Sequence, residues 1–181
     1  MPSTANPRGF TPVRHMTGGE IRENLYKVDS SNATAIFPGD LVKLESDGRI
    51  APAAADTGLT VIGVAVAVYD SNKRPIAAGY LAALTAGFIG VVDDPYIIYE
   101  VEADGSVAET DVGATANHVA TAGDTTTGRS KHSLDASDIG TGAQLKILGL
   151  YDVSGNAFDD SFVRLEVLIN EQHYKAAVAG V

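Results

Sequence analysis

The side chains that could do chemistry in this sequence are few, and their spacing works against it. Its four histidines are His15, His118, His132 and His173, and none stands at i,i+4 from a second ligand, so no zinc-binding spacing exists. Ser130, His132, Ser133 and Asp135 come nearest to a catalytic constellation. A triad needs its members to converge in space, and no G-x-S-x-G elbow prepares one here, so these residues read as a polar loop. The carboxylate pairs Asp93-Asp94 and Asp159-Asp160 are adjacent in sequence. Neighbours on a strand point to opposite faces, and both pairs lie beside turn signals where Asp caps its own backbone. General acid–base pairing is therefore not expected. There is no cysteine, which removes disulfides, thiol nucleophiles and thiolate metal ligands. Phosphate loops and EF-hand spacings are absent. Asn32-Ala33-Thr34 matches a glycosylation sequon, and no tryptophan is available for a sugar-stacking platform. No catalytic residue, metal ligand or cofactor is expected.

The elements that would position any site are strands. Leu41 to Leu44, the Asp47-Gly48 turn and Arg49-Ile50 predict a hairpin. Val101 to Val107 repeats that pattern about Asp104-Gly105. Val61 to Val68 is β-branched and apolar on both faces, as in a strand buried on both sides. Phe88 to Val92 and Tyr96 to Val101 predict strands on either side of Asp93-Asp94-Pro95, while Ile76 to Leu84 predicts a strand or one short turn. Residues 113–142 are small and polar, with short edge strands expected near His118-Val119 and Ser130 to Leu134. Residues 145–149 and 163–169 alternate with period 2. Together these predict an all-β fold, a β-sandwich or barrel of jelly-roll or Greek-key type.

The first 24 residues differ. Three prolines and three glycines fall between Pro2 and Gly19, and no apolar period runs through them. They predict an extended N-terminal arm (1–24) that does not fold on itself, ahead of one β-rich body (25–175) and a flexible C-terminal tail (176–181). Phe10, Val13, Met16 and Ile21 are spaced along the arm, with Arg8, Arg14, His15 and Arg22 among them. A solvating tail lacks such anchors; a docking arm requires them. These eight residues are the candidate partner-binding set.

Charge divides the chain at the same place. The formal net charge is −10, but residues 1–19 carry two arginines and no acid, which leaves −12 on residues 20–181. Such a body repels phosphate backbones, so no nucleic acid is expected as partner. The longest apolar run, Val61 to Tyr69, is about half a membrane span, and no apolar leader segment is visible, so a soluble chain made in the cytoplasm and free of membranes is expected.

Several motifs resemble those of a known family. Ala5-Asn-Pro-Arg-Gly-Phe10 followed by Arg14-His-Met-Thr-Gly-Gly19 resembles the N-terminal arms of capsid decoration (cement, head-stabilisation) proteins of tailed bacteriophages. Pro38 to Leu44 with Asp47-Gly48 and Val61 to Val64 is similar to their central segment, as are Asp94-Pro95-Tyr96, Tyr99 to Val101, Thr127 to Ser130 and the ending Val167 to Tyr174. The resemblance implies a non-enzymatic virion protein, made in a host bacterium, that binds the outside of a capsid and stabilises the shell by bridging subunits. Its implied partners are the major capsid protein and itself, as a homotrimer or alternatively a dimer. From another class stands a receptor- or carbohydrate-binding β-module of a phage tail or fibre, with a hydrolase centred on His132 third.

Overall fold

A computed structural model describes residues 5–55 and 60–175. The tail expected at 176–181 and the first four residues of the expected arm lie outside the described residues. In chain order the strands are β1 (Thr11–His15), β2 (Asn24–Val28), β3 (Leu41–Leu44), β4 (Ile50–Pro52), β5 (Gly63–Tyr69), β6 (Gly87–Val92), β7 (Ile97–Glu102), β8 (Thr115–Ala116), β9 (His118–Val119), β10 (Ser133–Leu134), β11 (Leu145–Leu150) and β12 (Arg164–Ile169). They form two five-stranded sheets, ordered β1-β7-β12-β11-β8 and β2-β6-β5-β3-β4, with β9 and β10 as a separate pair. All strand pairs within these sheets are antiparallel. The two large sheets pack together, which makes the all-β fold a β-sandwich.

The alternation of β12 shows why. Leu165, Val167 and Ile169 enter the core, while Arg164 and Glu166 face outward to Glu100 and Arg14. They meet Tyr99, Val101, Leu145 and Ile147 of the same sheet and Leu41, Val64 and Val92 of the other. A second cluster lies on the far side of the second sheet, where Val42, Ala65, Val68, Ile89 and Val91 are covered by Ile36 and Leu81 from the flanking connections. Strand β5 serves both clusters by alternation, Val64 and Val66 toward the first and Ala65 toward the second, and a bulge between Ala65 and Ala67 turns Val68 to the second as well. Burial on both sides explains its two apolar faces.

The hairpin at Asp47-Gly48 forms, with Leu44 opposite Ile50. The second Asp-Gly does not make one. After Glu102 the chain leaves the sheet, Ala103 bridges to Leu134, and the Asp104 N–H donates to the Leu134 carbonyl at 3.0 Å. Here β7 already has β1 and β12 as neighbours, so no edge is left for a local partner. Ile76 to Leu84 is turns joined by bridges.

The largest departure is at the N-terminus, where the structure does not leave residues 5–15 standing apart. They lie on the body, and Thr11–His15 forms the edge strand β1 against β7. Pro12 and a register shift that leaves Val13 unpaired hide the strand from periodicity. Both features are tolerated at an edge, where a missing N–H leaves no ladder bond unmade. Close backbone contact fixes the approach: Gly9 and Gly39 have φ of +72° and +99°, and a Cβ on Gly9 would lie 2.3 Å from the Gly39 carbonyl oxygen. The Phe10 N–H donates to that carbonyl at 2.8 Å.

Candidate interaction surface

The eight candidate partner-binding residues divide between two environments. Phe10 is 2% exposed and belongs to the inter-sheet core, edge-on to His118. Val13 is half-buried. Arg14 donates from both terminal nitrogens to the two Glu166 carboxylate oxygens on β12, which raises the guanidinium's already high pKa. His15 is held at the strand end, with Nδ1 accepting from the Thr17 N–H at 3.1 Å and Nε2 lying 3.3 Å from Asp94. Arg8 is exposed and lines a polar pocket of about 310 Å³ with Glu100, Glu102 and Arg164. Burial is the main cause that pushes the Glu102 carboxyl up, against a hydrogen bond from the Asn6 N–H. The remaining three, Met16, Ile21 and Arg22, are exposed.

Two corners of the fold meet beneath these last residues. The segment 16–23 carries the chain from β1 in one sheet to β2 in the other. The segment 93–96 does the same between β6 and β7. His15 stands opposite Ile97 and Asn24 opposite Val91, so the two connections run side by side at one end of the sandwich. The Met16 N–H donates to the Tyr96 carbonyl at 2.8 Å. Asp93 organises this end. It accepts from Asn24 Nδ2 at 2.9 and 3.0 Å and from the Tyr26 hydroxyl at 2.6 Å. Tyr26 lies 3.0 Å from the Tyr174 hydroxyl, and Gln172 Nε2 donates to the Asp93 carbonyl at 2.7 Å. Burial and Asp93 push the Tyr26 phenol up, so it remains a donor at neutral pH.

On this framework Met16 (46%), Ile21 (40%), Leu25 (49%), Tyr96 (53%) and Tyr174 (52%) are left exposed. They are five of the eight exposed large hydrophobic residues among the described ones; Met16 and Tyr96 are joined through their backbones and Tyr174 reaches the same end through Tyr26, whereas Leu25, next to Tyr26 on β2, points to the other face of that sheet. Leu25, Tyr96 and Tyr174 escape sequence reasoning, which assigns Leu25 no element, starts a strand at Tyr96 and leaves Tyr174 in the last residues of the β-rich body. The Asp94-Pro95 turn before Tyr96 is the only local signal of that residue's corner position.

The polar residues dismissed as a triad do not form one. The Ser130 Oγ accepts from the His132 backbone N–H at 3.1 Å, and Asp135 caps a short helical turn through the Ser137 N–H. His132 Nδ1 accepts from the Leu41 N–H at 3.3 Å. No nucleophile–base pair is made at His132 among the described residues. No group of three or more His, Cys, Asp or Glu that could hold a metal is found among the described residues, nor a helix long and apolar enough to cross a membrane. Comparison of the chain with protein-family models, curated proteins and solved structures finds no match.

Proposed function

We propose that the chain is a structural protein of a bacteriophage virion, which binds the outer surface of the capsid and stabilises the shell by bridging subunits. The observation that carries this reading is the exposure of Met16, Ile21, Tyr96 and Tyr174 around one end of the sandwich, where the 16–23 and 93–96 connections run side by side. Aromatic and Met side chains of this kind form the buried centres of protein interfaces. The motif resemblance of residues 5–19 to the arms of decoration proteins supports the same reading. On a shell each contact is repeated by symmetry, so a modest patch suffices through avidity. The partner is the major capsid protein, and the chain itself, as a homotrimer, supplies the multiplicity. The role calls for no catalysis.

Deleting residues 1–24 would be a poor test, because it removes Phe10 and β1 from the body. The decisive experiment is co-sedimentation of the intact protein with purified mature shells, read with the heat or pressure at which the shells rupture. Binding with raised rupture resistance is expected. Absence of binding, with glycan binding by the same preparation, would replace this reading by a receptor-binding module.

A further inference from the structure

The face of the second sheet that looks into the sandwich is not covered along its whole length. Register sets Leu25, Gly90 and Ala67 in one row across β2, β6 and β5, and Lys27, Phe88 and Tyr69 in the next. These six lie on the side away from Tyr26, Val68, Ile89 and Val91, which belong to the second cluster. Further along the same side, Val64 and Val92 are buried in the inter-sheet core. Here the cover runs out: Leu25 and Lys27 are exposed, and Ala67, Tyr69 and Phe88 are half-buried. Gly90 keeps this shelf flat, since a Cβ there would lie 2.8 Å from the Glu23 carboxylate and 3.3 Å from the Ala67 Cβ. Lys73, held at φ +61°, sets its Nζ 5.2 Å from the centre of the Phe88 ring. Arg74 lies in the same turn as Lys73. Against these cations stand Glu23, which accepts from the Tyr69 hydroxyl at 3.3 Å, and Asp70, whose carboxylate accepts from the Asn72 and Arg74 N–H groups at 2.8 and 2.9 Å. The shelf is thus apolar and cationic on a chain of net charge −10.

The opposite character lies at the Glu102–Arg164 end of β7 and β12, away from the 93–96 corner. Residues 107–112 and 151–163 carry Glu109, Asp111, Asp152, Asp159 and Asp160 and no Lys or Arg. The Asp159 N–H donates to the Val107 carbonyl at 2.9 Å and joins the two segments into one tip. Val112 and Val153 are exposed on it. Asn156 fixes the longer loop: its Nδ2 donates to the Tyr151 and Arg164 carbonyls at 2.8 Å each, and its Oδ1 accepts from the Arg164 N–H at 2.9 Å. Asp159 and Phe162 are held at φ +64° and +59°, a backbone conformation that costs free energy in residues other than glycine. A loop already fixed in this way loses little freedom on docking.

We propose that the acidic tip of one copy of this chain docks on the cationic shelf of the next, with Val112 and Val153 against Leu25 and Phe88 and the carboxylates around Lys27 and Lys73. Opposite charge on two rigid surfaces steers the encounter and fixes its register. The two surfaces differ, so the contact is heterologous and joins copies head to tail into a ring or a chain. The shelf faces away from Tyr26 and its partner Tyr174, so the Met16, Tyr96 and Tyr174 end stays free. The inference rests on the capsid reading for its purpose alone: the copies it joins supply the multiplicity of the shell contact.

The test is sedimentation velocity of the full chain over a range of concentrations, without shells. Species larger than the monomer are expected at low salt, with association at least ~10-fold weaker at ~1 M NaCl. Lys27→Glu with Lys73→Glu reverses the shelf, and Asp152→Lys with Asp160→Lys reverses the tip. Each double variant alone should associate at least ~10-fold more weakly than the parent. An equimolar mixture of the two should associate again, because reversed tip meets reversed shelf and native tip meets native shelf. If either variant fails to fold, Leu25→Ser removes an exposed apolar side chain and no charge, and at least ~10-fold weaker association is expected there too. A parent that stays monomeric, a folded variant that associates like the parent, or a mixture of folded variants that does not recover would overturn the proposal. Co-sedimentation with shells separates the two readings: a monomeric parent that still binds shells overturns the head-to-tail contact and leaves the capsid reading standing.

Discussion

Residues 5–15 bury Phe10, pair β1 with β7 and commit Arg14 to Glu166 on β12, whereas residues 16–25 are exposed throughout and turn Met16, Ile21 and Leu25 to solvent. The two stretches have opposite fates and different compositions, the first with two prolines, two arginines and no acid, the second with Glu20 and Glu23 against Arg22 and no proline. The surface underneath differs as well. The first runs along the edge of β7, and its Phe10 enters the inter-sheet core there. The second crosses a corner where Asn24 and Tyr26 donate to Asp93, and its apolar side chains stay at the surface. Basic residues ahead of an acidic body predict docking somewhere, and for Arg14 the acidic target is its own β12.

The sharpest way to break this contrast is at Phe10. Phe10→Ala empties a core position and should cost about 3–5 kcal/mol in denaturant unfolding. A cost below ~1 kcal/mol would mean that the first stretch is not anchored and that residues 5–15 are as free as 16–25.

Acid should loosen the same anchor, because the Phe10 ring stands edge-on to His118. His118 and His132 are both lowered to about 4 by burial, below their unfolded value of 6.5. The unfolded chain therefore binds more protons between those values, and the two groups' stabilisation, full above pH 6.5, is lost as pH falls toward 4. Asp40 works in the opposite direction. Raised from 3.8 to about 6, it favours the folded state more as pH falls through that window. At ~1.4 kcal/mol per unit, two histidines against one carboxylate leave a net loss of roughly 3 kcal/mol from pH 7 to pH 4. His118→Gln should flatten that loss, as read from denaturant midpoints across the pH range. An unchanged slope would show that His118 is not buried neutral beside Phe10.

Much of this fold is legible in the sequence, and the failures share a cause. The runs at 87–92, 97–102 and 164–169 form strands where their apolar periods place them, and the Asp47-Gly48 hairpin closes. Those signals are local: the residues that decide the strand lie within it. Strand β1 is decided elsewhere, by the free edge of β7 and by Glu166, 152 residues from Arg14. Asp104-Gly105 fails for the same reason, since its upstream strand is claimed by β1 and β12. The site is less legible still. Met16, Ile21 and Arg22 are exposed as a docking segment requires, but Tyr96 and Tyr174 come to the same end only through the Met16–Tyr96 and Tyr26–Tyr174 contacts, which no local pattern announces.

A smaller effect tests the tether along the rest of the first stretch. The Arg14 side chain is 51% exposed, so its pair with Glu166 is screened and should contribute under ~1 kcal/mol. Arg14→Ala should lower stability by that amount at low salt and by less at high salt. A loss of several kcal/mol, insensitive to salt, would mean that Arg14 does structural work beyond the ion pair and that β1 rests on it as heavily as on Phe10.

The smallest expected change in stability belongs to the second stretch, and it is the most informative. Met16→Ser and Ile21→Ser combined remove two side chains that are 46% and 40% exposed. Substitutions at such positions usually stay within ~0.5 kcal/mol each, so the unfolding midpoint should move little. Shell binding in co-sedimentation should nevertheless be lost, because these residues supply much of the apolar centre of the proposed contact. Tyr96 and Tyr174 would remain as an internal control, since their replacement by Ser should weaken binding at the same end without moving β1. A double variant that binds as well as the parent would place the contact elsewhere on the sandwich. One that unfolds several kcal/mol sooner would show that both stretches belong to the body, and the contrast between them would vanish.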